Sequence, residues 1–160
     1  MANISKYMSY NESIASATAK AKGIDNTPEP AHLENMKHVA TQIFDKVREH
    51  IGGPLHASSF YRSPLLNQSL VKSQGMASTK SQHMKGEAID ITTKKYNVGT
   101  NKQVFDFIKD NLVFDQLIYE FGTDQEPDWV HVSLKRGGAN RKQVLRAKKI
   151  NGKVVYSLYK

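Results

Sequence analysis

The stretch Ser81-Gln82-His83-Met84-Lys85-Gly86-Glu87-Ala88-Ile89-Asp90-Ile91-Thr92 sets the reading of this chain. It runs from a polar loop into an alternating, β-branched segment, and glycine stands at the junction. The spacing predicts a strand over residues 87–93 in which Ala88, Asp90 and Thr92 share one face and Ile89 and Ile91 take the other. Asp90 therefore points away from the apolar face of its own strand. A carboxylate set between two isoleucines needs a partner there. Gly86 lets the preceding loop fold back, so that His83 and Asp90 converge. By the same parity Trp129, His131 and Ser133 share a face of a later strand, opposite Val130, Val132 and Leu134. A neighbouring strand can thus bring His131 beside Asp90.

Working outward, the N-terminal half reads as helical. Asn11 to Lys22 forms an opening helix that Gly23 ends in a left-handed cap. Leu33, Met36, Val39, Ala40, Ile43, Phe44 and Val47 recur at three- and four-residue steps, which gives a helix over residues 30–50 with one buried stripe. Gly52-Gly53-Pro54 stops it. A short extended run follows at Leu55 to Phe60, then a helix begun by Pro64 and running to about residue 72, and a polar loop from Lys72 to Gln82. Thr100 caps a helix through about Asn111, and strands are expected at Gln116 to Phe121 and Trp129 to Leu134. Asn151-Gly152, flanked by Gln143 to Ile150 and Lys153 to Tyr159, is a strong hairpin signal. Helices first, then adjacent short strands, make an α+β fold with helices packed on a small central antiparallel sheet. No linker divides the 160 residues, so one domain spanning 1–160 is expected, with a basic C-terminal hairpin at about 143–159.

Composition narrows the chemistry. With no cysteine, 39% hydrophobic and 24% charged residues, the chain has neither a disulfide framework nor a thiol nucleophile, and any metal must be held by His and carboxylates. Met1 to Ala15 lacks an apolar core, and no run of about 18 apolar residues occurs, so neither a secretory signal nor a membrane span is expected. A soluble product made in the cytoplasm follows, a monomer by expectation. The net charge of +8 is concentrated: residues 135–160 hold nine Lys/Arg and no Asp or Glu, against 14 basic and 15 acidic groups in the rest. Such a tail favours a polyanion. Nucleic acid is not the expected partner, because the tail lacks the aromatic and basic interleaving of known modules beyond Tyr156 and Tyr159.

Of six histidines, His32, His38, His50 and His56 have no metal-type spacing and read as packing or surface residues. His83, Asp90 and His131 offer two imidazoles and one carboxylate with an open fourth position, the donor set of catalytic zinc. Magnesium or calcium would require more oxygens. On the residues alone a salt-bridged Asp90 with histidines that never meet stays open beside the metal reading.

The pattern Ser-x-His-x-x-Gly-x-Ala-x-Asp, filled by Ser81, His83, Gly86, Ala88 and Asp90, resembles the zinc D-Ala-D-Ala peptidases of bacteria and phages, which share a fold with the hedgehog signalling domain. Asp128-Trp129-Val130-His131 looks like that family's second motif, and Ser59-Phe60-Tyr61-Arg62-Ser63 like its arginine-bearing turn. The resemblance covers about residues 58–134. It implies that His83, Asp90 and His131 bind Zn2+, that Asp128 is the general base, that Arg62 holds the scissile carbonyl or a substrate carboxylate, and that Ser81 hydrogen-bonds the bound peptide. It implies a peptidoglycan stem peptide as substrate, cut by a D-Ala-D-Ala carboxypeptidase or an endopeptidase, and it is similar to phage endolysins. A zinc-containing binding module of the same fold is the alternative. Asp128 and His131 would face opposite ways on an ideal strand, so Asp128 serves the site only if Pro127-Asp128 lies in a turn or bulge. Glu87, Glu120 and Glu126 are expected to be surface carboxylates.

Overall fold

Ser16 interrupts the opening helix, and the reason is local. In a computed structural model that describes residues 2–74 and 78–160, its backbone is extended and its hydroxyl accepts the Ala19 amide at 3.1 Å. The segment is thereby split into α1 (Tyr10–Ile14) and α2 (Ala17–Lys22), and Gly23 closes α2 at φ 64°. The expected single helix is corrected to two, because a serine that caps a new helix stabilises the break. α3 (Pro30–Val39) and α4 (Asp45–Ile51) form one helical rod, joined by a π-helical stretch at Ala40–Phe44. The stripe of Met36, Val39, Ile43, Phe44 and Val47 is buried along its length.

α5 (Pro64–Gln74) runs further than the sequence suggests and takes in the start of the expected loop. Residues 75–77 of that loop lie outside the described residues. α6 (Asn101–Asn111) begins with a capping box in which the Thr100 hydroxyl accepts the Gln103 amide while the Gln103 side chain accepts the Thr100 amide, satisfying two otherwise orphaned donors.

β1 (His56–Ser59), β2 (Ala88–Thr92), β3 (Gln116–Glu120), β4 (Trp129–Ser133), β5 (Gln143–Ile150) and β6 (Lys153–Leu158) form one sheet in the order β1-β2-β4-β3-β5-β6. Alternation decides its two faces. Ile89, Ile91, Leu117, Tyr119, Val130 and Val132 join the helical stripe in a single core, while Asp90 and His131 look out from the other face. The fold is therefore α+β, as the order of elements implies. One pair departs from the expected antiparallel sheet: β3 and β5 are parallel. The chain leaves β4 beside the start of β3 and turns back there, because buried Asp115 accepts the Arg141 amide at 2.9 Å and its guanidinium at 2.8 and 3.0 Å. That clamp starts β5 alongside Gln116. The β5–β6 hairpin turns at Asn151 and Gly152, with φ 53° and 78°, and every residue of β6 is exposed.

Candidate functional site

Register brings the site together. Asp90 sits directly opposite His131 in the β2–β4 ladder, and the His131 Nδ1 to Asp90 Oδ1 distance is 2.9 Å. His83 arrives from a single 3-10 turn, Gln82–Lys85, that Ser81 opens and Gly86 closes at φ 71°. Its Nε2 stands 3.5 Å from Asp90 Oδ2. One ligand atom from each of the three residues lies within 4.8 Å of the other two. The two histidines do meet at Asp90, which also pairs with Arg62.

The donor set fits a divalent cation. His83 Nδ1 is 2.6 Å from the Phe60 carbonyl; a carbonyl only accepts, so Nδ1 carries the hydrogen and Nε2 turns its lone pair toward Asp90. A tetrahedral ion with arms of about 2.1 Å separates its ligands by about 3.4 Å; the His83–Asp90 separation of 3.5 Å matches this, and the His131–Asp90 separation of 2.9 Å is shorter. The charges agree with this. Burial opposes ionisation of Asp90, but the facing His83 and His131, when protonated, outweigh it and hold the carboxyl well below its usual range. Burial also pushes His83 down, toward the neutral form that ligates.

Arg62 and His83 are tied by backbone, the Arg62 amide donating to the His83 carbonyl at 3.1 Å. Arg62 Nε donates to Ser59 Oγ at 3.1 Å and its Nη2 is 3.7 Å from Asp90 Oδ2, so the guanidinium borders the cluster. Ser81 Oγ accepts the His83 amide at 3.2 Å; its hydroxyl hydrogen is left for another acceptor. Asp128 occupies the bend just before β4. Its side chain is 51% exposed and its carboxylate is 3.5 Å from Lys94 Nζ. Asn101, fully buried, fixes that bend by donating to the Pro127 and Asp128 carbonyls at 3.1 and 2.8 Å while accepting the Thr93 amide at 2.7 Å. All six residues line one cleft of about 1660 Å³.

The three other acids do not share one fate. Glu126 accepts the Asn101 amide at 2.8 Å, holding the start of α6, and Glu87 is partly exposed. Glu120 is no surface carboxylate. It is 6% exposed because β3 parity sets it on the cleft face with Ile118, which lies opposite His131. Burial pushes its carboxyl up to about 7. The sequence signal was present in that parity, and Asn101 was overlooked because an asparagine at a helix start normally reads as a simple cap.

An α+β scaffold thus converges two histidines and an aspartate in a cleft that an arginine and a second aspartate also line, a donor set able to hold a metal ion. The family model described as Peptidase M15 matches residues 6–133. The chain belongs to the Peptidase M15 family, as its motifs suggest. Among solved structures it is similar to the LdcB LD-carboxypeptidase, described as revealing the molecular basis of peptidoglycan recognition, at 19% identity and a TM-score of 0.35, over 68% of this chain and 60% of that one. The chain thus spans less than two thirds of that protein's length. No curated protein matches it significantly.

Proposed function

We infer that residues 1–160 form one zinc peptidase domain that hydrolyses peptide bonds in peptidoglycan stem peptides, as a carboxypeptidase or an endopeptidase. The observation that carries the reading is the convergence of His83, Asp90 and His131 in the cleft that Arg62 and Asp128 also line. Those three residues would hold Zn2+, which supplies Lewis acidity and lowers the pKa of bound water to about 7. The chain does the rest. The Phe60 carbonyl fixes the tautomer of His83, and Asp90 contributes the one anionic ligand, which leaves a net positive charge at the site for an anionic group of water or substrate.

Asp128 serves as general base and acid, accepting a proton from the attacking water and passing it to the leaving amine. Its partial exposure lets the carboxylate swing from Lys94 toward substrate. Arg62, already oriented by Ser59, stabilises charge that develops on the scissile carbonyl oxygen or binds a terminal carboxylate. Ser81 has a hydroxyl hydrogen to offer the peptide. The hairpin's Lys148, Lys149 and Lys153 favour an anionic wall.

Purified peptidoglycan and a stem peptide ending in D-Ala-D-Ala, digested and read by mass spectrometry for wild type and Asp128→Ala, test this with zinc measured in both. Cleavage by wild type alone, at about one zinc per chain in each protein, is expected from three ligands that leave Asp128 outside the set. Zinc without cleavage in wild type would instead favour a non-catalytic module of the same fold.

A further inference from the structure

β3 ends in a carboxylate that the scheme above leaves unused. Glu120 lies directly across from Trp129 in the β3–β4 ladder and beside Ala147 in the parallel β3–β5 pair, and Ala147 is opposite Tyr156 in the hairpin. Partners in a ladder share a face, so all four stand on the face that carries Asp90 and His131. Glu120, Trp129 and Tyr156 line the same cleft. Ala147 between them is fully buried.

The chain reverses immediately after Glu120. Phe121 and Gly122 both take left-handed conformations, at φ 55° and 70°, and a Cβ on Gly122 would fall 2.2 Å from the Glu126 carbonyl oxygen. This turn sets the Phe121 ring edge-on against Trp129, with centroids 5.4 Å apart, and braces the indole beside the carboxylate.

The Glu120 side chain is largely buried but opens on the cleft, where a cationic partner would offset the cost of its desolvation. No group among the described residues hydrogen-bonds the Glu120 side chain, and no Lys, Arg or His nitrogen among them comes within ion-pair distance. The nearby cation, Arg62, is engaged with Ser59 and borders Asp90. An unpaired acid flanked by aromatic surfaces is the composition that binds an ammonium ion, the acid matching its charge and the rings its polarisable face. Glu120 is two residues along β3 from Ile118, the partner of His131, which is about 7 Å along the strand. A long side chain on a residue bound next to the scissile bond spans that distance.

The geometry points to Glu120, walled by Trp129 and Tyr156, as a recognition subsite for a primary ammonium group on the peptide substrate. It rests on the peptidase reading of the cleft and adds a specificity determinant to it. Glu120 binds the side chain of the substrate and takes no part in bond breaking.

Trp129 is the chain's one tryptophan, so its fluorescence reports occupancy without turnover. A stem pentapeptide with lysine at its third position and the same peptide Nε-acetylated are titrated into wild type and Glu120→Gln, and cleavage is followed in parallel by mass spectrometry. The lysine form is expected to bind wild type about tenfold more tightly or better, the factor one charge-assisted hydrogen bond supplies, and Glu120→Gln is expected to erase the difference. Equal binding of the two peptides to wild type, no binding of either, or a preference that survives in Glu120→Gln overturns the subsite, and the wild-type comparison needs no variant to fold. Discrimination with no cleavage of either peptide would leave the subsite standing and remove the peptidase reading instead.

Discussion

Replacing Gly86 with alanine should loosen the turn that carries His83, and the structure separates two contributions to the loss. Gly86 has φ 71°, where an L side chain costs roughly 1–2 kcal/mol. In addition, a Cβ there would stand 2.5 Å from the His32 carbonyl oxygen and 2.7 Å from Met36 Cγ, both on α3. Neither can retreat easily, because the first is helix backbone and Met36 is fully buried. Forcing them apart adds about 1–3 kcal/mol, the usual range for overpacking. Gly52 is the control: it has φ 79° and nothing within 4 Å of its Cβ position, so Gly52→Ala should lose only the first contribution. Thermal melts of both variants in chelator isolate the difference, since about 1 kcal/mol corresponds to about 2–4 °C in a chain of this size. Gly86→Ala should therefore melt about 2–12 °C below Gly52→Ala, and it alone should weaken zinc binding, because a Cβ pressed against α3 displaces the 3-10 turn that carries His83. Equal melting temperatures for the two variants would refute the close packing of the His83 turn on α3.

Asn101→Ala should destabilise the fold by about 2–4 kcal/mol, since it strands the Thr93 amide and the Pro127 and Asp128 carbonyls in a buried site. With the bend released, kcat should fall more than zinc affinity, which steady-state kinetics and metal titration distinguish. Arg141→Met should raise the pH of acid unfolding. The hydrogen bond from Arg141 holds the Asp115 carboxyl down to about 2, against 3.8 for the free group; a depressed carboxylate contributes stability that is complete above the free value and is lost as pH falls through the folded one. Circular dichroism during acid titration should show the variant's midpoint moving up toward the free value, and an unchanged midpoint would deny Asp115 its role as the clamp that starts β5.

The features legible in the sequence were those set by neighbours along the chain. Alternation around Asp90 and His131 was enough to place both on one face, because strand parity is a local property. The Asn151-Gly152 turn and the Thr100 cap were equally plain. Other features depend on contacts distant in sequence. The parallel β3–β5 pair follows from the Asp115–Arg141 clamp, 26 residues apart, and the π-helical stretch at Ala40–Phe44 carries no composition signal. Ser16 did advertise its break, yet the alanine-rich run around it reads as continuous helix. Glu120 shows the remaining gap. Its face was deducible from Ile118, whereas its burial depends on strands that pair with β3 from distant parts of the chain.

On the proposed reading, His83, Asp90 and His131 hold a single zinc ion that hydrolysis of a cell-wall peptide requires. Chelator-stripped protein should be titrated with zinc while bound metal and cleavage of the stem peptide are read from the same samples, with His83→Ala as reference. The account predicts that cleavage is absent at first, rises in step with bound zinc and levels off at about one equivalent, and that His83→Ala neither retains the metal nor recovers cleavage. Full cleavage by the stripped protein, or stoichiometric zinc on His83→Ala, would contradict it.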